Sequence, residues 1–155
     1  MAEHLYKATV SWRRGDGEFQ KGRYSRGHTW RFDGGIEVPA SASPQVVPKP
    51  YVNEAAVDPE EAFIASLSSC HMLTFLDLAR RGGFLIESYE DEADGVMEKN
   101  TAGKYWISRV TLRPRIAWGG DKQPSHDDLA RLHHVAHEEC FIANSVKTDV
   151  KVEGF

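Results

Sequence analysis

The stretch from Pro59 to about Arg81 constrains the fold of this chain more than any other part of its sequence. Asp58 is a favourable N-cap, proline suits the first position of a helix, and Glu61 lies three residues after the cap, where it can complete a capping box. Gly82-Gly83 provides a stop signal at the other end. We therefore predict one long helix that begins at Pro59 and ends near Arg81.

This helix has no polar face through its middle. The run from 62 to 70, AFIASLSSC, is apolar or small on every side. A helix that is apolar all round is buried all round, and a chain of 155 residues can bury one substantial core. We therefore predict a central helix, and we expect a second subunit to cover part of it.

Apolar and polar residues alternate on both sides of this helix, as they do in half-buried strands. A second helix is predicted from near Ser125, with Asp128 completing a cap-like pair, to between Cys140 and Asn144. This order of elements is typical of an α+β fold, with mainly antiparallel sheets packed on two helices, in a single domain over residues 1–155. The predicted strands cover residues 6–12, 28–32, 36–38, 86–98, 104–118 and 146–152.

The segment 38–57 is irregular. Its prolines at 39, 44, 48 and 50 exclude a helix interior or a central strand. About twenty residues of this kind form either a functional or covering loop or a solvated surface loop, and the sequence leaves both interpretations open.

The composition favours a soluble protein. Hydrophobic residues make up 41% of the chain and charged residues 27%, and the net charge of −4 argues against nucleic-acid binding and against a polybasic membrane anchor. No apolar run reaches the roughly 18 residues that cross a bilayer. Residues 1–7 have no apolar signal core, so we expect a cytoplasmic protein.

Two cysteines, Cys70 and Cys140, are the residues most able to carry chemistry. They are too few for a disulfide framework, so they are interpreted as buried thiols, metal ligands or redox groups. The helix dipole favours neither thiolate, because Cys70 lies in mid-helix and Cys140 near a C-terminal end. A reactive thiolate would therefore need a cationic neighbour.

Other patterns are weaker. His133, His137 and Cys140 are spaced i, i+4 and i+7 on one helix face, a weak zinc pattern. No nucleophile elbow, phosphate-binding loop or dinucleotide motif is present. Glu60 lies ten residues before Cys70, about 15 Å along the helix. It is either a plain carboxylate at a helix start or a group that acts through a long basic side chain.

Several segments of the chain resemble the OsmC/Ohr family. DPEEAFIASLSSCHML at 58–73 resembles the family's central helix, and AHEECFIANS at 136–145 resembles the surroundings of its second cysteine. YSRGH at 24–28 and SYEDEADG at 88–95 resemble an OsmC-like branch. The resemblance extends from Tyr6 to Val152.

This resemblance implies an α+β protomer in an intertwined homodimer that reduces organic hydroperoxides. Cys70 would be the peroxidatic thiolate and Cys140 the resolving thiol. Glu60 would match the glutamate that orients an arginine, and that arginine would be Arg26, with Arg23 as the nearest rival.

The resemblance implies no metal and no cofactor. The implied partners are an organic hydroperoxide, an external dithiol reductant, for example of the lipoyl type, and a second copy of the chain. An apolar wall from Phe63 and Phe141 would favour alkyl hydroperoxides. Since a fold does not determine a function, a non-catalytic protein that binds a small apolar ligand stays open as the alternative.

Overall fold

Residues 2–155, which the computed structural model describes, form eight β-strands and two α-helices. The chain divides into two compact units, the first ending at Ala62 and the second beginning at Phe63. The elements in chain order are β1 (Ala8–Ser11), β2 (His28–Phe32), β3 (Glu37–Ala40), α1 (Pro59–Arg81), β4 (Leu85–Asp91), β5 (Asp94–Lys99), β6 (Tyr105–Leu112), β7 (Pro114–Gly119), α2 (His126–Glu139) and β8 (Asp149–Val152).

The first unit contains an antiparallel sheet in the order β1-β2-β3. β2 has the predicted bounds, β1 is shorter than predicted, and β3 continues to Ala40. The end of the proline-rich segment is tied to β3, because the Ser41 N–H donates to the Val57 carbonyl at 3.0 Å. The buried Ser41 hydroxyl accepts the Asn53 N–H at 3.0 Å. The end of this segment therefore runs back alongside the last residues of β3.

The long helix α1 has the predicted ends. The Glu61 N–H donates to Asp58 Oδ1 at 2.8 Å, and the Asp58 N–H donates to Glu61 Oε2 at 3.2 Å. This reciprocal cap satisfies two donors at the helix start. Gly83 follows the last turn with φ of +81°, the left-handed conformation that glycine adopts without strain. Local signals at both ends therefore set the length of α1, as predicted.

The expectation that α1 is buried on every side is wrong for a single chain. The buried residues form one stripe along the helix, Leu67, His71, Phe75 and Ala79. Leu73 is 62% exposed, and the most apolar 18-residue window of α1 is only 22% buried within the chain. By length and composition α1 could also cross a bilayer, although its buried stripe is that of a core helix.

The second unit contains two sheets. β4 pairs with β7, and β5, β6 and β8 form the other sheet, in which β6 and β8 are parallel and the remaining pair is antiparallel. Each of the two long predicted strands is therefore two strands. The break lies beside Asp91, whose Oδ1 accepts the Arg113 N–H at 2.6 Å. The predicted fold class, α+β with mainly antiparallel sheets and two helices, is confirmed.

Two apolar clusters hold this second unit together. One joins α1 to α2 and to the β4–β7 sheet, and the other joins α1 to the β5-β6-β8 sheet. Gly95 allows β5 to approach α1, because a Cβ at that position would lie 2.8 Å from Ile64 Cδ1. The buried members of the two clusters are Phe75, Ala79, Phe84, Leu132 and Ala136, and Leu67, Val110 and Leu112.

The second helix begins as predicted. Ser125 is its N-cap and forms a capping box with Asp128. The hydrogen bonds from Ser125 and Arg131 lower the pKa of the Asp128 carboxyl to about 2. The helix ends at Glu139, and Cys140 is its C-cap.

Candidate active site

The two cysteines meet between the two helices of the second unit. Cys70 lies in the middle of α1 and is half-buried, whereas Cys140 is 1% exposed at the end of α2. Both thiols are free, and Cys70 lies close enough to Cys140 to raise the pKa of the Cys140 thiol. The fold thus brings together two residues that are seventy positions apart in the chain.

The surroundings of the two sulfurs differ. Burial and the hydrogen bond with Cys70 raise the pKa of the Cys140 thiol to about 11. The Ala143 N–H donates to Cys140 Sγ at 3.4 Å. This hydrogen bond lowers the pKa of the thiol, but by less than burial raises it. Cys140 is therefore a protonated thiol near neutral pH, and Cys70 is the more accessible of the two sulfurs. This arrangement suits a pair in which Cys70 reacts with an outside molecule first.

A pair of buried histidines lies on the same two helices. His71 Nε2 is 3.0 Å from His133 Nδ1, and the two rings are almost parallel. Burial is the main cause that lowers the pKa of each imidazole to about 4. The neighbouring His137 also lowers the pKa of His71, and His71 does the same to His133. Both rings are therefore neutral near neutral pH.

The weak zinc pattern of His133, His137 and Cys140 is not assembled in this arrangement. His133 faces His71, and Cys140 faces Cys70. Within residues 2–155, no group of three or more histidine, cysteine or acidic side chains is placed to hold a metal ion.

The two charged residues expected at the site both lie in the first unit. Glu60 is in the first turn of α1, and its Oε2 is buried without a hydrogen-bond partner. Arg26 is half-buried, and its Nη1 donates to the carbonyls of Gly22 at 3.0 Å and Tyr24 at 2.6 Å. Within residues 2–155, no ion pair shorter than 4.0 Å joins Arg26 to Glu60. The structure therefore does not bring this predicted pair together.

The two candidate arginines have different surroundings. The Arg26 guanidinium stacks 3.6 Å above the centre of the Tyr24 ring. Arg23 is exposed and lies 3.4 Å from the Glu18 carboxylate at the surface. Of the two, Arg26 is the one that lines a cleft.

This cleft of about 540 Å³ belongs to the first unit, and sequence reasoning missed its aromatic lining. The one available signal was the set of aromatic residues on either side of the Gly15-Asp16-Gly17 turn. Of the two residues expected to form an apolar wall at the thiol site, Phe63 packs on a core cluster of the second unit, and Phe141 is 78% exposed. The aromatic side chains around the cleft are Trp12, Phe19, Tyr24 and His28.

The fold places one cysteine in the middle of a long apolar helix and a second cysteine beside it, at the end of another helix. This arrangement defines a class of α+β proteins with a two-thiol site. A family model described as OsmC-like protein matches residues 52–154 of the chain. The protein belongs to the OsmC family, as predicted from its sequence.

Solved structures share this fold. An OsmC-like protein of unknown function from Vibrio cholerae is 51% identical, with a TM-score of 0.95 over 97% of this chain and 99% of that chain. An organic hydroperoxide resistance protein from Elizabethkingia anophelis is 16% identical, with a TM-score of 0.71 over 99% of both chains. The organic hydroperoxide resistance protein OhrB of Bacillus subtilis is 22% identical, with a TM-score of 0.64 over 97% of this chain and 98% of that chain. A search of curated proteins found no match.

Proposed function

We propose that the protein is a thiol-dependent peroxidase that reduces organic hydroperoxides to alcohols. The observation that carries the proposal is the contact between the half-buried Cys70 and the buried Cys140 in a member of the OsmC family. Proteins with the same fold include two named for organic hydroperoxide resistance, which supports the choice of substrate.

The reaction begins at Cys70. Its thiolate attacks the distal oxygen of the hydroperoxide, which carries the hydrogen. The O–O bond breaks, and the alkoxide leaves and takes up a proton to become the alcohol. Cys70 becomes a sulfenic acid. Cys140 then attacks the Cys70 sulfur, a disulfide forms, and the displaced hydroxide leaves as water with the Cys140 proton. Because the two sulfurs already lie together, this second step requires little rearrangement of the helices.

An external dithiol closes the cycle. It reduces the Cys70–Cys140 disulfide by thiol–disulfide exchange and leaves as its own disulfide. The Phe141 side chain, beside Cys140 in sequence, is 78% exposed, so the end of α2 is open to a partner. A lipoyl-type or other small or protein dithiol in a reducing cytoplasm fits this requirement.

Arg26 and Glu60 take the supporting roles in this proposal. A guanidinium stays charged when it is buried, so Arg26 would stabilise the Cys70 thiolate. Glu60 would orient Arg26, and its buried, unpartnered Oε2 supports such a role because a buried carboxylate oxygen without a partner costs free energy. For this pairing, Arg26 must leave the carbonyls of Gly22 and Tyr24.

We also propose that the active form is a homodimer. α1 exposes a large apolar surface in the single chain, including Leu73 at 62% exposure. A second copy packed on this surface would bury it, in line with the intertwined dimer implied by the sequence resemblance.

One experiment tests the activity. The reduced protein is mixed with one equivalent of an alkyl hydroperoxide, and free thiols and intact mass are measured. We expect both thiols to be lost within one chain, with a mass decrease equal to two hydrogen atoms. Cys70→Ser should consume no peroxide. If both thiols survive in the native protein and the peroxide is untouched, the peroxidase proposal is wrong.

The second candidate function is the binding of a small apolar ligand without turnover. The aromatic cleft of the first unit favours it, because a concave, apolar site with Arg26 and His28 at its wall is suited to such a ligand. Quenching of Trp12 fluorescence by an alkyl alcohol, together with inert thiols, would support this alternative.

A further inference from the structure

The buried pair His71 and His133 joins the two helices that carry the cysteines. His71 follows Cys70 directly on α1, and His133 lies two turns before Cys140 on α2. The hydrogen bond between the imidazoles spans 3.0 Å and is a polar side-chain link in an otherwise apolar contact between these helices.

The pair is enclosed by aromatic rings. The centre of the Phe75 ring lies 4.3 Å from that of His133, and the centre of the Phe155 ring lies 4.7 Å from it. His71 and His133 are 1% and 2% exposed. Imidazole rings held between aromatic rings cannot turn freely, so the hydrogen bond fixes the position of one helix against the other.

We propose that the hydrogen bond between His71 and His133 is a clamp that sets the distance and orientation of Cys70 relative to Cys140. The two histidines are positioning residues that act through α1 and α2, and neither enters the chemical step. This inference rests on the proposed function in one respect, because the proposed reaction is what makes Cys70 and Cys140 a reactive pair.

The clamp works only if one imidazole donates and the other accepts. Both rings are neutral near pH 7, since burial keeps the pKa of each at about 4. A neutral imidazole carries one N–H and one lone pair, so two of them form one such bond without a buried charge. The titratable groups beside the pair are His137 and Asp91, and neither is a hydrogen-bond partner of either ring.

The test measures how strongly the fold favours the Cys70–Cys140 disulfide, without using a peroxide. The full-length protein is equilibrated in glutathione buffers of graded redox ratio at pH 7. Mass spectrometry measures the fraction of chains that contain the intramolecular disulfide. This fraction, together with the glutathione redox ratio, gives the effective concentration of one thiol relative to the other. A displacement of the two sulfurs by about 1 Å is expected to lower this value by tenfold or more.

Two substitutions at one position separate the clamp from general packing. His133→Phe keeps the ring and removes the hydrogen bond, and we expect the effective concentration to fall by about tenfold or more. His133→Asn places an amide where Nδ1 lies and should restore most of the native value. The double variant His71→Phe with His133→Phe removes both polar partners, so it folds without a buried unpaired imidazole and should still show the loss.

The matched control is His134→Phe, on the exposed side of the same helix, where the ring lies 3.2 Å from Glu138. It should leave the effective concentration within about twofold of the native value. An effective concentration unchanged in the folded double variant overturns the clamp, as does a native protein that forms no intramolecular disulfide in any glutathione buffer. A native protein that forms the disulfide but ignores peroxides leaves the clamp intact and refutes the peroxidase function.

Discussion

Cys140 is buried in the fold of one chain and lies close enough to Cys70 for Cys70 to raise the pKa of its thiol. Burial keeps the pKa of Cys140 at about 11, so this buried partner is a protonated thiol near neutral pH, whereas Cys70 is only half-buried. The two sulfurs are therefore unequal before any reaction begins. This inequality separates a first step at Cys70 from a second step at Cys140.

If Cys140 is the resolving thiol, as proposed, its removal should stop the cycle after the first step. In Cys140→Ser we expect one equivalent of alkyl hydroperoxide to be consumed at a rate within a few-fold of the native protein, because Cys70 remains. The sulfenic acid should persist and form an adduct with a dimedone-type trap, which intact mass detects. Steady turnover with a dithiol should fall to the background level.

The variant Cys70→Ser is the matched control for that experiment. It should give neither peroxide consumption nor an adduct. If Cys140→Ser fails to react while Cys70→Ser consumes peroxide, the roles of the two cysteines are reversed.

Glu60→Gln should slow the reaction of Cys70 with peroxide. The amide cannot hold a guanidinium by charge, and poorer positioning of Arg26 is expected to cost about ten- to a hundredfold in the rate. Stopped-flow kinetics of the first oxidation step measures the change. Glu54→Gln is the control, because Glu54 makes a surface ion pair of 2.8 Å with Lys49. Equal rates for the native protein and Glu60→Gln would reduce Glu60 to a helix-start carboxylate.

The helices were predictable because their signals are local. Asp58 and Glu61 form the predicted cap of α1, and Ser125 and Asp128 form that of α2. Each pair lies three residues apart, so periodicity and cap chemistry suffice. The strand break near Asp91 was missed, because it depends on a hydrogen bond with the Arg113 backbone across the fold.

The site was predictable only in part. The two cysteines and the first turn of α1 carry the family's pattern, so Cys70, Cys140 and Glu60 were candidates from the sequence. His71 and His133 are 62 positions apart and have no motif, so their contact is visible only in three dimensions. The aromatic cleft depends on the turn between β1 and β2, whose alternation pattern indicates strands but not what they enclose.

Acid should destabilise the protein through the buried histidines. The pKa of His71 and of His133 is about 4 in the folded chain and about 6.5 when unfolded. Between these values the unfolded chain binds more protons, so the free energy of unfolding falls as the pH falls from 6.5 to 4. Together the two groups should remove on the order of 5 kcal/mol over this range.

Urea unfolding at a series of pH values measures this effect. The double variant His71→Phe with His133→Phe should show a flatter dependence of the free energy of unfolding on pH between 6.5 and 4. A native curve as flat as that of the double variant would mean that folding does not lower the pKa of the two imidazoles. His134→Phe should follow the native curve, because His134 is exposed.

The exposed apolar face of α1 should be covered by a second copy of the chain. Leu73 lies on this face and is 62% exposed. If the face is the dimer interface, Leu73→Lys buries an unpaired ammonium there, which costs several kcal/mol and should shift the protein to monomer. Light scattering after size-exclusion chromatography at micromolar concentration measures the mass of the native protein and the variant. Tyr105→Lys, at the first residue of β6 and 69% exposed, is the control and should remain dimeric. A dimeric Leu73→Lys would move the interface away from this face, and a monomeric native protein would refute the homodimer.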